Sequence, residues 1–304
     1  MAKSRILLLG AQGQLGQELQ KALPTMVELI AVGKETVNLA IPEQLHEVIL
    51  PVQPDIIVNA AAYTAVDRAE SEAELAHTVN QKSPTVLAEI AKTLGALLVH
   101  ISTDYVFDGT QGHPYTESDS PHPQSVYGHS KWQGEEGIRH IWNQHIILRT
   151  AWVYGTQGKG NFVKTMLRLG KERSDVRVVD DQIGSPTWAK DIGDAIASLI
   201  HHWSSSDSAT QAEIYGTYHF TNRGVASWYD FAVAIFAEAQ SLGFPLQIEQ
   251  VIPITTSEYP LPAPRPAYSV LSNSKITPIL GKPAPHWQQS LRQMLKELIQ
   301  DPSV

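Results

Sequence analysis

The sequence contains no cysteine, which excludes disulfides, thiolate metal centres and a cysteine nucleophile. It also lacks a long apolar run. The N-terminus passes from Lys3 and Arg5 into only four consecutive aliphatics, residues 6–9, before Gly10. That is too short for the apolar region of a signal peptide, and no later stretch approaches a membrane span. A basic excess is missing as well: 23 Lys and Arg face 31 Asp and Glu, a formal net charge of −8. Neither a nucleic-acid partner nor a membrane partner is expected, and the default location is the cytoplasm. The twelve histidines form no H-x-x-x-H or H-E-x-x-H pattern, and His201-His202 reads as a helix C-terminus, so no metal is expected.

What remains is a chain of 304 residues, 42% hydrophobic and 18% charged, enough for a full core. In the first half, compact aliphatic runs at 6–9, 28–32, 55–59, 97–102 and 145–149 alternate with helical patterns at 14–23, 42–49, 73–94 and 126–140. The runs show no polar alternation, as expected of parallel strands covered on both faces. The alternation predicts an α/β fold, a Rossmann-like doubly wound parallel sheet, with ligands collecting beyond the carboxyl ends of the strands. The second half is less regular. Helices are predicted over 161–169, 187–202, 227–240 and 287–299, and strands over 176–179, 214–220 and 246–251. The stretch 253–266 carries Pro253, Pro260, Pro262, Pro264 and Pro266, and reads as extended loop. We expect a dinucleotide-binding domain over 1–151, completed by later segments, and a smaller α/β substrate lobe over 152–304.

Two motifs carry the chemistry. Gly10-Ala-Gln-Gly13-Gln-Leu-Gly16 directly follows the first strand and opens a helix. Gly10 permits the tight turn, Gly13 lets the backbone approach a pyrophosphate, and Gly16 lets the helix pack on the sheet. The second motif is Tyr127-x-x-x-Lys131. Four residues apart on a helix, the two share a face, and an ammonium beside the phenol would lower its pKa towards the working range. Ser102-Thr103 at the end of the fourth strand would place a hydroxyl in the same crevice, where Thr103 can bond the phenol or a substrate carbonyl. Asn59-Ala60-Ala61-Ala62-Tyr63-Thr64, at the end of the third strand, offers small residues for close cofactor approach. Asp104, Tyr105, Asp108 and Trp152 lie on strand-end loops where a substrate would sit. At the end of the second strand stands Gly33-Lys34, where many NAD enzymes carry a ribose-binding acid. Without that acid, and with Lys34 available to a 2′-phosphate, NADPH is expected over NADH.

With these pieces in place the chain resembles the dTDP-4-dehydrorhamnose reductases, a family of the extended short-chain dehydrogenase/reductase superfamily. The matching segments are Gly10 to Gly16, Val58 to Asp67, Ser102-Thr-Asp-Tyr-Val-Phe-Asp-Gly109, Tyr127-Gly-His-Ser-Lys131, Arg149-Thr-Ala-Trp-Val-Tyr154, Asn161 to Leu167, Asp181 to Thr187 and Arg265-Pro266. The resemblance implies NAD(P)H-dependent reduction of the 4-keto group of dTDP-4-dehydro-β-L-rhamnose to dTDP-β-L-rhamnose, the last step of dTDP-rhamnose biosynthesis. It makes Tyr127 the proton donor, Lys131 its tuning partner on the nicotinamide ribose, and Thr103 the third member. Gly13, Gln14, Leu15, Asn38, Leu39, Ala62, Tyr63, Thr64 and Ile101 match cofactor-contacting positions. Thr103, Asp104 and Trp152 match substrate-contacting ones, Tyr105 lies beside them, and Arg265 is expected on the diphosphate. Asn38 stands where family members often have Asp. Some members are described as Mg²⁺-bridged dimers; Lys190 lies where one bridging carboxylate is expected, so that metal is not predicted and a homodimer stays open. Two alternatives also stay open: a reductase of another nucleotide-linked 4-keto sugar, and a non-catalytic regulatory subunit of the methionine adenosyltransferase type.

Overall fold

A computed structural model describes residues 4–23, 27–158 and 160–300. Six strands form one all-parallel sheet: β1 (Arg5–Leu9), β2 (Glu28–Val32), β3 (Ile56–Asn59), β4 (Leu97–Thr103), β5 (His145–Thr150) and β6 (Gly216–His219), in the order β6-β5-β4-β3-β1-β2. The order reverses between β1 and β3, which share the register Ile6↔Ile56 to Leu9↔Asn59. Their tips therefore open the crevice where such sheets bind ligands. β3 and β5 are buried at every position, which is why their sequences show no alternation.

Two helical layers cover the sheet. On one face lie α1 (Gln14–Ala22) and, from far along the chain, α5 (Ala189–Ser205), whose Ile192, Ile196 and Leu199 pack with Leu15 and Leu19 against Ile6, Leu8, Val58 and Val99. On the other lie α2 (Ser83–Leu94) and α3 (Val126–Ile141), with Leu87, Ile90 and Ile138 against Leu7, Leu9, Ile57, Leu98 and Ile147. Burying aliphatics at about 25 cal/mol per Å² on both faces makes this layer the main source of stability. A second core joins α4 (Phe162–Glu172), α6 (Trp228–Ser241) and α7 (Trp287–Gln300) around Phe231, Trp188, Leu291 and Met294. The α6 start is held by a capping box, Ser227 with Asp230. No helix among the described residues is long and apolar enough to cross a membrane.

Two elements differ from expectation. The helix predicted over 73–94 runs its full length but is widened by a π-helical turn, Thr78–Lys82, between Ala73–His77 and α2. The strand predicted over 246–251 instead forms at Gln250–Ile254, pairing parallel to Asp175–Val179 and taking in Pro253. That sheet has two strands, so each is an edge and a missing N–H can face away from its partner.

Candidate active site

The glycine turn is built by close approach. Gly10 has φ +81°, and a Cβ there would lie 2.8 Å from the Ala61 nitrogen at the tip of β3. A Cβ on Gly16 would sit 2.1 Å from the Gly10 carbonyl oxygen, so only glycine lets α1 start this close to the turn. The N-cap of α1 is Gly13, and no side chain caps the helix. Its first-turn N–H groups and its dipole are left for an anion, and the cradle fits the pyrophosphate of a dinucleotide. Gln14 reaches across to the second half of the chain, its Oε1 accepting from Asn161 Nδ2 at 2.8 Å. Leu15 faces the core instead of the crevice.

At the tip of β2 the expectation of a carboxylate-free site needs correction. Lys34 is exposed, but Glu35 folds back so that a Cβ on Gly33 would lie 2.4 Å from its Oε1. Gln12 Nε2 holds that oxygen at 3.2 Å. An acid missing at the strand end is thus supplied two residues later. Asn38 closes a turn on its own backbone, Oδ1 accepting from Ala40 N–H at 3.1 Å. The Leu39 side chain belongs to the core, and its carbonyl accepts from Ser83 Oγ at 2.6 Å.

The loop after β3 is held from the π-helical turn. Asn80 accepts from the Tyr63 N–H at 2.9 Å and donates to the Tyr63 carbonyl at 3.0 Å, and donates also to Ser130 Oγ on α3. This fixes Ala62-Tyr63-Thr64 in an extended run above the sheet tips. The Tyr63 hydroxyl is already engaged, donating to Glu72 at 2.6 Å. Nothing local in the sequence marks Asn80; its partners lie 17 and 50 residues away.

α3 brings Tyr127 to β4. Ser125 caps it, accepting from Gly128 N–H at 3.1 Å, which places Tyr127 in the first turn, near the positive end of the helix dipole. A Cβ on Gly128 would lie 2.2 Å from the Tyr105 carbonyl oxygen, so glycine sets how near the helix comes to the loop after β4. Tyr105 meets Tyr127 edge to face, with centroids 5.6 Å apart. Burial pushes the Tyr127 phenol up to about 12, with Thr103 at the end of β4 acting in the opposite direction.

This reverses one expectation. Lys131 does not lower the phenol's pKa, because its ammonium nitrogen turns to β4, donating to the Ile101 carbonyl at 2.6 Å and lying 3.2 Å from His100 Nε2. Sharing a helical face brought Tyr127 and Lys131 to one crevice, yet the nearest backbone acceptor took the charge. Burial brings Lys131 itself down to about 8, opposed by Glu135 one turn along. His100 escaped the sequence reading because it belongs to no local pattern, and Asn59, read there only as the start of a cofactor-approach segment, meets it across the sheet.

The remaining residues lie around this centre. Thr103 Oγ1 donates to Asp104 Oδ1 at 3.0 Å, while Asp104 Oδ2 is buried without a partner; desolvation raises this carboxyl to about 6. Asp108 is drawn away, accepting from the Tyr115 hydroxyl at 2.8 Å. Trp152 has φ +48°, a left-handed conformation unusual for a bulky residue, and stacks on Trp228 at 3.5 Å between ring centroids. Its indole also fills the space a Cβ on Gly184 would need, 2.4 Å away. Arg265 is not free: its guanidinium forms a two-pronged pair with Asp67 at 3.0 and 2.7 Å.

Known proteins match this chain over nearly its whole length. The model of the RmlD substrate binding domain family matches residues 4–300. A dTDP-4-dehydrorhamnose reductase of Burkholderia thailandensis is 41% identical over 97% of this chain and 99% of its own length. One from Escherichia coli K12 is 41% identical over 96% and 97%. The crystal structure of a Bacillus anthracis dTDP-4-dehydrorhamnose reductase in complex with NADP superposes with a TM-score of 0.88 at 38% identity, covering 97% of this chain and 100% of that one. Matched by the family model over residues 4–300 and by these relatives over nearly its whole length, the chain belongs to the RmlD family of dTDP-4-dehydrorhamnose reductases.

Proposed function

We propose that this chain reduces the 4-keto group of dTDP-4-dehydro-β-L-rhamnose, yielding dTDP-β-L-rhamnose, with NADPH as the preferred reductant. The carrying observation is the meeting, at the carboxyl ends of β1, β3 and β4, of an uncapped helix start with Thr103 and Tyr127, both buried. When bound, NADPH supplies the hydride that adds to carbon 4 of the sugar. Tyr127, held protonated by burial, donates its proton to the carbonyl oxygen as negative charge develops there. Thr103 orients the phenol, and the dipole of α3 stabilises the phenolate left behind.

Around the reacting carbon the other roles follow from position. The unpartnered Asp104 oxygen suits a sugar hydroxyl, since a buried acceptor without a donor is costly until one arrives. Arg265 would meet the diphosphate by exchanging Asp67 for phosphate oxygens. Trp152 offers an apolar face to the sugar or base. Binding the nucleotide far from carbon 4 supplies free energy that orients the keto group. Lys34 favours the 2′-phosphate of NADPH while Glu35 opposes it and suits the 2′-hydroxyl of NADH, so activity with NADH as the weaker reductant belongs to the same reading.

The test is loss of absorbance at 340 nm with the dTDP-linked keto sugar and each reductant in turn. Tyr127→Phe should lower kcat by about 10²–10⁴-fold and leave NADPH affinity within a few-fold. A wild-type chain that binds NADPH but consumes none with this substrate refutes the assignment.

A further inference from the structure

His100 is buried in β4 between two fixed neighbours. On one side, Asn59 Nδ2 lies 3.1 Å from its Nδ1; on the other, Lys131 Nζ lies 3.2 Å from its Nε2. The Asn59 amide is oriented from behind, because its Oδ1 accepts from the Ala61 N–H at 3.2 Å. Asn59 therefore turns its NH₂ end to the ring, and Nδ1 must be the bare acceptor nitrogen. In a neutral imidazole the hydrogen then sits on Nε2, aimed at Lys131. The doubly protonated ring is disfavoured, since desolvation and the nearby Lys131 charge hold its pKa well below the ordinary histidine value.

An ammonium has three donors and no lone pair, so a charged Lys131 meets the Nε2–H donor against donor. An uncharged amine has the lone pair that this hydrogen needs, and can still donate to the Ile101 carbonyl at 2.6 Å. We propose that His100 is a positioning residue for Lys131: oriented by Ala61 and Asn59, its Nε2–H makes the uncharged amine the hydrogen-bond-matched form and so eases loss of the lysine proton. Once Tyr127 has given its proton to the substrate oxygen, an N–H bond of Lys131 breaks as the phenol O–H is restored through an intervening hydroxyl or water. The lone pair left on Nζ accepts from His100.

Other charges act on the same centre. Glu135, on α3, favours the Lys131 charge and is itself paired with Arg149 of β5 and Arg139 of α3; Arg139 and His145 of β5 act on His100 as positive or polar neighbours. None of them supplies a hydrogen bond to Lys131 Nζ. The orientation of His100 is therefore a separate contribution. The proposal deepens the reductase reading, but its primary readouts need no turnover, so either can fail without the other.

The test uses cofactor-free, full-length protein. In ¹⁵N-histidine-labelled chain, two-bond proton–nitrogen spectra report the His100 tautomer, the signal being assigned by its loss in His100→Phe. Above the ionisation of Lys131 the hydrogen is expected on Nε2, and a hydrogen on Nδ1 overturns the proposal. In ¹³Cε-lysine-labelled chain, the Lys131 resonance, assigned by its loss in Lys131→Met, should titrate about one pH unit higher in His100→Phe than in wild type, a tenfold change in proton affinity. The basic limb of kcat/KM against pH should move by the same amount. Equal Lys131 titrations in the two proteins refute the idea. Should His100→Phe fail to fold, Asn59→Asp replaces it: a carboxylate there draws the hydrogen to Nδ1, which the same spectra detect, and Lys131 must then titrate higher. Relocation of the hydrogen with no change at Lys131 is equally fatal.

Discussion

The substitution Gly16→Ala isolates the cofactor cradle. A methyl group at this position would lie 2.1 Å from the Gly10 oxygen, 2.8 Å from the Gly10 carbonyl carbon and 2.9 Å from Ala11 Cα. All three are backbone atoms of the turn, so no side chain can swing aside. An ordinary contact begins at 3.4 Å, leaving the start of α1 about 1.3 Å too close. Because α1 is packed by Leu15 and Leu19 into the sheet core, the whole first turn must lift, carrying its N–H groups off the pyrophosphate position. Overpacking of this kind costs about 1–3 kcal/mol in stability, and an ångström of misplacement costs roughly 100-fold in a preorganised site. For a chain of this size that corresponds to a Tm lower by about 2–5 °C. The assay is NADPH titration by quenching of tryptophan fluorescence, beside thermal unfolding with and without cofactor. Gly112→Ala serves as control, since a Cβ there meets nothing within 4 Å. Unchanged NADPH affinity in Gly16→Ala, with the control also unchanged, would refute the cradle.

Two further changes probe the charges at the site. Burial raises Asp104 from 3.8 to about 6, so the folded state holds its proton more tightly than the unfolded chain. The stabilising contribution of the protonated form is complete below about pH 4 and is lost as pH rises through 6. Asp104→Asn should therefore stabilise the cofactor-free chain by about 3 kcal/mol at pH 8, with the difference vanishing at pH 4; denaturant unfolding at both values checks this, and equal gains at both refute it. Glu35→Gln removes the carboxylate beside the β2 tip and should raise kcat/KM with NADPH relative to NADH by about tenfold at low salt, steady-state kinetics with each reductant being the measure.

Local signals carried much of the fold. The run predicted over 28–32 is β2, Glu28–Val32, and the pattern over 126–140 is α3, Val126–Ile141. Both are decided by composition and neighbours within a few residues. The glycine turn was legible for the same reason: strand, turn and helix start are contiguous. The helix expected over 73–94 is present from end to end, and what the local spacing does not show is the π-helical turn at Thr78–Lys82, from which Asn80 reaches Tyr63. The strand expected at 246–251 moved to Gln250–Ile254 because pairing with Asp175–Val179 outweighed the proline.

The chemistry divides along the same line. Residue types and their spacing determined a parallel sheet and a glycine turn that opens a helix after its first strand, and they singled out Tyr127, Lys131 and Thr103 as the set proposed to react, since each rests on a short-range pattern. Only the tertiary structure decided that Lys131 turns to Ile101 and His100, that Glu35 stands by Gly33, that Asn80 holds Tyr63, and that Arg265 is paired with Asp67. Most of these contacts join residues far apart in the chain. Their energies are hydrogen bonds and charge pairs in buried or half-buried surroundings, where a partner's position, fixed by the packing of whole helices on the sheet, outweighs anything written in the neighbouring residues.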